Sequence, residues 1–126
     1  MYRVEIDNAG DYRFNVKSKD YEFVIDAKGK GITPPDTLLA SLASCIGVYI
    51  RKYAEGAKLA ISRFKITAEA ELTKEKPVRF SQINVSIYLG GTALDERRKK
   101  VLSDFINNCP IHNTLETKPN ISVNIS

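Results

Sequence analysis

The segment 33–52, TPPDTLLASLASCIGVYIRK, most constrains what this chain can fold into. Thr33 suits an N-cap and Pro34 the first helical position. Asp36, three residues after the cap, places a carboxylate where backbone N–H groups lack partners. No residue from Leu38 to Ile50 is charged. Apolar side chains then fall on every side of the helix, so it is expected to be enclosed by protein rather than laid on a surface. Ala40, Ala43, Ser44 and Gly47 are small and would let another helix come close. Cys45 stands in the middle of this segment.

At 126 residues the chain is expected to form one domain over 1–126, long enough to close a core around such a helix. A hydrophobic share of 43% and a charged share of 27% suit a globular protein. The net charge of +4 is spread among Asp and Glu, so it suggests a nucleic-acid footprint only weakly. No window reaches the ~20 apolar residues of a membrane span. The start, MYRVEIDNAG, lacks the apolar core of a signal peptide. The expected compartment is the cytoplasm, without membrane association. A cysteine pair there is more often catalytic, redox-active or metal-binding than a structural staple.

Along the chain, alternation marks strands over 2–6, 12–16 and 21–26, with a turn at Asn8-Ala9-Gly10, which gives an antiparallel meander. Lys28-Gly29-Lys30-Gly31 reads as a flexible loop leading to the central helix, and Gly56 as its stop. Two longer alternating segments, 64–72 and 80–89, form a hairpin through Lys74-Glu75-Lys76-Pro77. Thr92 and Asp95 repeat the cap pattern and open a second helix to about residue 107. Its inner face is Leu94, Val101, Leu102, Phe105 and Ile106, and its outer face carries Arg97-Arg98-Lys99-Lys100, read as a solvated face. Pro110 opens a short helix over 111–116, and 121–125 reads as a last strand. The expected class is α+β, in the order βββ-α-ββ-αα-β.

Cys45 and Cys109 stand 64 positions apart (109 − 45). Residue types alone leave four readings open: buried hydrophobes, a structural disulfide, half a metal site, or a redox couple. A four-coordinate zinc site needs more ligands than Cys109-Pro-Ile-His112 supplies, because His112 is the single histidine. If Cys109 caps the short helix, its sulfur faces free backbone N–H groups, which favour thiolate. Cys45 shares its helix face with Leu38, Ser41, Leu42, Val48, Tyr49 and Lys52. Burial there raises its pKa, so a reactive Cys45 calls for a cation from another segment or another chain. Asp36, nine residues earlier, lies about 180° around the same helix.

Two of these stretches carry a family resemblance. TPPDTLLASLASC resembles the P-E-L-L-L-A-A-L-x-x-C helix of the OsmC/Ohr family, the osmotically inducible and organic hydroperoxide resistance proteins. CPIHNTL, residues 109–115, resembles that family's second cysteine motif, C-P-V/I-x-N-T-L. Both cysteines, the element order and nearly the whole length agree, on the OsmC-like branch. The resemblance implies an intertwined homodimer in which two central helices pack together, wrapped by antiparallel sheets. It implies reduction of organic hydroperoxides without metal, flavin or other cofactor. Cys45 becomes the attacking thiolate and Cys109 the resolving thiol, although the helix-end argument makes Cys109 the more acidic. An external dithiol, with a lipoylated protein expected, reopens the disulfide. An arginine from the N-terminal strands, Arg13 or alternatively Arg3, holds the thiolate. Asp36 occupies the position of the family glutamate that orients this arginine and is one methylene shorter.

A second expectation is a non-catalytic relative, a dimer that keeps the fold and binds a small apolar ligand. A nucleic-acid module is the third, and no aromatic stacking motif or glycine-rich phosphate loop supports it.

Overall fold

The computed structural model describes residues 1–126, which divide into two compact units, Met1–Ala40 and Ser41–Ser126. In the first unit, β1 (Glu5–Asp7), β2 (Arg13–Ser18) and β3 (Tyr21–Asp26) form an antiparallel sheet in that order. The meander read from the alternation is present. Its first strand lies later than residues 2–6, because only Glu5, Ile6 and Asp7 find partners on β2, at Lys17, Val16 and Asn15. Asn8 fixes the turn: its amide donates to the carbonyls of Asp11 at 2.7 Å and Arg13 at 3.0 Å. The glycine-rich loop is tied at its base. The Asp26 carboxylate accepts from the Lys28 N–H at 2.8 Å, and the Asp26 N–H donates to the Ile32 carbonyl at 2.9 Å.

The central helix, α1 (Pro34–Gly56), starts as its sequence dictates. The Asp36 N–H donates to the Thr33 hydroxyl oxygen at 3.3 Å, and the Asp36 carboxylate accepts from the Thr33 N–H at 3.4 Å, a reciprocal cap. It ends at Gly56, as expected, and the left-handed residue of the turn that follows is Lys58, φ 54°. The Leu59 N–H reaches the Ala54 carbonyl at 2.9 Å and the Lys58 N–H the Glu55 carbonyl at 3.3 Å, the paired bonds of a Schellman motif. Leu59 decides the position, since it packs against the core from the residue after the left-handed one.

In the second unit β4 (Lys65–Leu72) pairs antiparallel with β5 (Phe80–Tyr88), Ala68 facing Val85 and Ile66 facing Ile87. Then come α2 (Glu96–Ile106) and α3 (Pro110–Thr117). The core is Leu42, Ile46 and Ile50 of α1, Leu94, Leu102 and Cys109, with Ile66, Ile83 and Val85 of the hairpin packed against it. The class is therefore α+β, three helices with antiparallel sheets. No helix is long and apolar enough to cross a membrane.

Four expectations need correction here. First, α1 is not enclosed all round. It buries one stripe, Leu42, Ile46, Gly47, Ile50 and Ala54, and leaves Val48 50% exposed, because one chain covers only that face. At Gly47 the close approach is made by Phe64 and Ile66, which an added Cβ would meet at 3.4 and 3.5 Å, and not by a helix. Second, the cap of α2 is Asp95 rather than Thr92. The Asp95 carboxylate accepts from the Arg98 N–H at 2.8 Å, while the Thr92 N–H is used in a turn to Leu89. Third, Val101 lies outside the core at 45% exposure; it sits one residue off the stripe that carries Leu102, Phe105 and Ile106. Fourth, residues 121–125 form no strand, so the single chain reads βββ-α-ββ-αα. A strand needs a pairing edge, and Ile121, Val123 and Ile125 lie exposed with none from their own chain.

Candidate active site

Two constraints bring Cys109 to Cys45. The chain leaves α2 through N–H groups of Asn108 and Cys109 that bond the carbonyls of Phe105 at 3.1 Å and Ile106 at 3.0 Å, so the joint between α2 and α3 is tight. Pro110 then bars Cys109 from helical backbone and holds it extended, φ −60° and ψ 119°. Cys109 is fully buried in the core cluster. Cys45, half-buried on α1, packs against that same cluster. Both cysteines are free thiols.

The Cys45 pKa is pushed above its ordinary value. Burial is the largest cause, followed by interaction with the Cys109 thiol, which favours the protonated form. The Ile111 backbone N–H acts in the opposite direction by bonding the Cys45 sulfur. Charge on Cys109 raises the pKa further, and the Lys52 ammonium lowers it. One expectation changes as a result. Cys109 is the N-cap residue of α3, yet its side chain makes no capping bond. The Ile111 N–H at the start of that helix instead lowers the Cys45 pKa. Lys52 of the same helix adds a small lowering influence, yet the net shift stays upward, so the expectation of a cation from another segment or chain is not displaced.

One wall of the site is aromatic. Tyr49, one turn beyond Cys45, packs on Phe105 of α2 with ring centroids 5.7 Å apart, and Tyr53 packs on the same ring at 5.9 Å. The sequence reading placed Tyr49 and Lys52 on the Cys45 face and Phe105 on the inner face of the second helix, without giving any of them a role in the site. The signal was their spacing, since positions four and seven after Cys45 share its helix face.

The remaining candidates belong to the first unit. Arg13 opens β2 with an exposed side chain, its N–H bonded to the Asp11 carboxylate at 3.0 Å. Arg3 is exposed and paired with Glu5 at 2.6 Å. Asp36 is exposed in the first turn of α1, where its carboxylate accepts from the Thr33 hydroxyl at 2.7 Å. His112, four residues before Glu116 on α3, bonds that side chain at 3.1 Å.

Residues 27–124 match the sequence profile of the family described as OsmC-like protein. The chain is 27% identical over 123 residues to a protein named hydroperoxide reductase from Mycoplasma genitalium, covering 92% of this chain and 87% of that one. Among solved structures it resembles an OsmC-like protein from Mycoplasma pneumoniae, with TM-score 0.80, 21% identity and coverage of 94% and 89% of the two chains. It also resembles an organic hydroperoxide resistance protein OsmC from Legionella pneumophila, with TM-score 0.64, 17% identity and coverage of 93% and 90%.

Proposed function

Because this chain belongs to the OsmC-like protein family, we propose that it is a thiol peroxidase for organic hydroperoxides. The single observation that carries this reading is the meeting of two free thiols, one half-buried and one fully buried, in one apolar cluster. The name of the Mycoplasma genitalium relative, hydroperoxide reductase, points the same way.

Cys45 is the attacking residue. Its thiolate takes the distal oxygen of the hydroperoxide: an S–O bond forms, the O–O bond breaks, and the alkoxide leaves as alcohol after gaining a proton. The sulfenic acid that remains is attacked by the Cys109 thiolate. An S–S bond forms, and hydroxide leaves as water. An external dithiol, with a lipoylated protein expected, returns two electrons by thiol–disulfide exchange. No metal or flavin takes part. The assignment of attacker and resolver follows the family's two cysteine motifs, since the net pKa shift at Cys45 is upward. The Tyr49 and Phe105 rings favour substrates with an apolar group over hydrogen peroxide.

The functional unit is a homodimer acting as a single domain in the cytoplasm. Arg13, rather than Arg3, supplies the guanidinium that holds the thiolate, and Asp36 orients it from a site completed by the second copy. The exposed Val48, and the unpaired 121–125 segment with its apolar side chains in the open, suit such an assembly.

The test is to treat reduced protein with one equivalent of an alkyl hydroperoxide, count thiols and map peptides. The reading expects loss of two thiols and a Cys45–Cys109 disulfide. It also expects a trapped sulfenic acid in Cys109→Ser and none in Cys45→Ser. Label that persists only in Cys45→Ser reverses the two roles. The raised pKa of Cys45 favours a second reading, a ligand-binding dimer without turnover. Thiols that survive the peroxide, with an apolar molecule carried through purification, would establish that alternative.

A further inference from the structure

We propose that Lys52 is a positioning residue for Cys45, its ammonium leaning back along α1 over the Tyr49 ring to supply same-chain positive charge to the thiolate. This inference deepens the peroxidase reading of the site, but its test does not depend on peroxide turnover.

The geometry starts from helical spacing. Cys45, Tyr49 and Lys52 occupy positions i, i+4 and i+7, one stripe along α1. The Lys52 backbone is about 10 Å from that of Cys45 along the axis, at a rise of about 1.5 Å per residue. Helical side chains tilt toward the N-terminus, so a long side chain at i+7 reaches back toward i. The Lys52 side chain does so: its Nζ sits 4.9 Å from the Tyr49 ring centroid. A cation held over a ring keeps its charge and loses part of its freedom to swing into solvent. Tyr49 in turn is braced by Phe105. The ring is therefore a fixed rest that holds the ammonium on the side of the helix facing the thiol.

The adjacent cation does not compete for this role. Arg51 donates to the carbonyls of Ile61 and Ser62 and stacks on Phe64 at 4.8 Å, on another side of the helix. The other elements of the shared cluster present few charges. From the α2–α3 joint comes the Cys109 thiol, and α3 offers the Ile111 N–H. The titratable groups of α3, His112 and Glu116, bond each other at 3.1 Å. To the cluster that Cys45 packs against, the hairpin contributes apolar Ile66, Ile83 and Val85, and α2 contributes Leu102 and Ile106. The lowering influence of Lys52 on the Cys45 pKa agrees with this arrangement.

The experiment measures iodoacetamide alkylation of the Cys45 peptide against pH by mass spectrometry, in the full chain and in Lys52→Met and Lys52→Arg. Lys52 is exposed, so both variants are expected to fold, with melting temperature as the control. Lys52→Met should raise the midpoint by about 0.3–0.7 pH unit and slow alkylation below it about two- to fivefold, the size of a partly screened charge at this separation. Lys52→Arg should keep the original profile, and about 1 M salt should shrink the difference between the variants. A Lys52→Met protein that melts normally with an unmoved midpoint overturns the proposal. So does a Lys52→Arg profile that matches Lys52→Met. Failure of the unaltered protein to consume hydroperoxide would instead remove the peroxidase reading and leave the alkylation result standing.

Discussion

Oxidation of the thiol pair should leave a measurable mark on stability. A Cys45–Cys109 disulfide would close a loop of about 65 residues, which the chain-entropy relation converts to roughly 14 cal/mol/K removed from the unfolded state, or about 4 kcal/mol at 25 °C. That value is a ceiling, because strain at either sulfur subtracts from it. Strain is expected at Cys109, which is fully buried and fixed on both sides, by the bonds that end α2 and by Pro110. Cys45, half-buried on a long regular helix, also has little backbone freedom. With a urea dependence of about 2 kcal/mol per molar for a chain of this size, the ceiling corresponds to a midpoint rise of about 2 M. The assay compares urea midpoints of protein reduced with dithiol and protein oxidised with one equivalent of alkyl hydroperoxide. The expected result is a rise between zero and about 2 M that vanishes in both Cys45→Ser and Cys109→Ser. By the same cycle, every 1.4 kcal/mol gained lowers the potential of the folded pair by about 30 mV relative to the unfolded chain. A fall in the midpoint on oxidation would refute the reasoning. So would a rise that persists when Cys109 is serine.

Three further outcomes follow from particular residues. Ile50 is fully buried at the centre of the α1 stripe, so Ile50→Ala should cost about 3–4 kcal/mol in urea unfolding through lost burial and an unfilled cavity. Lys58 holds a left-handed backbone at φ 54° where glycine is unstrained, so Lys58→Gly should stabilise the fold by roughly 0.5–1 kcal/mol and raise its melting temperature. Because Cys45 has a folded pKa above its unfolded one, the native state keeps this proton longer. The associated stability is full below the unfolded value and declines as pH rises through the folded value. Unfolding measured across alkaline pH should show a steeper decline for the natural chain than for Cys45→Ala.

What could be read from the sequence was whatever local chemistry determines. The Thr33-Pro34-Asp36 start of α1 is settled within one turn by donors and acceptors three residues apart, and it stands as expected. The Cys109-Pro110 break is equally local, since proline alone forces it. Errors came where a choice depends on partners distant in sequence. Gly56 does end the helix, but the left-handed residue of the closing turn falls two positions on, at Lys58, where it lets Leu59 pack on the core. The helix-end effect at α3 was correctly expected but assigned to the wrong sulfur. The sequence places Cys109 at that N-terminus, whereas its side chain makes no capping bond and the Ile111 N–H lowers the Cys45 pKa.

The same distinction explains the two largest departures, the bare side of α1 and the missing last strand. Alternation over 121–125 records how its side chains would be sorted between two faces, and such sorting has meaning only beside an edge that accepts the strand. The apolar residues around α1 likewise record the environment for which the helix is made. Yet a single chain covers one stripe and leaves Val48, Ile121, Val123 and Ile125 in the open. Both patterns share one physical content: apolar surface whose burial is specified by sequence and not supplied by one copy. Burying side chains of this size contributes about 1.5–3 kcal/mol each, and the open positions include a helix face and an unpaired terminal segment. An assembly that covers these positions would restore the expected enclosure and the expected last strand together. One that covered the helix and left 121–125 unpaired would show that the two departures have separate causes.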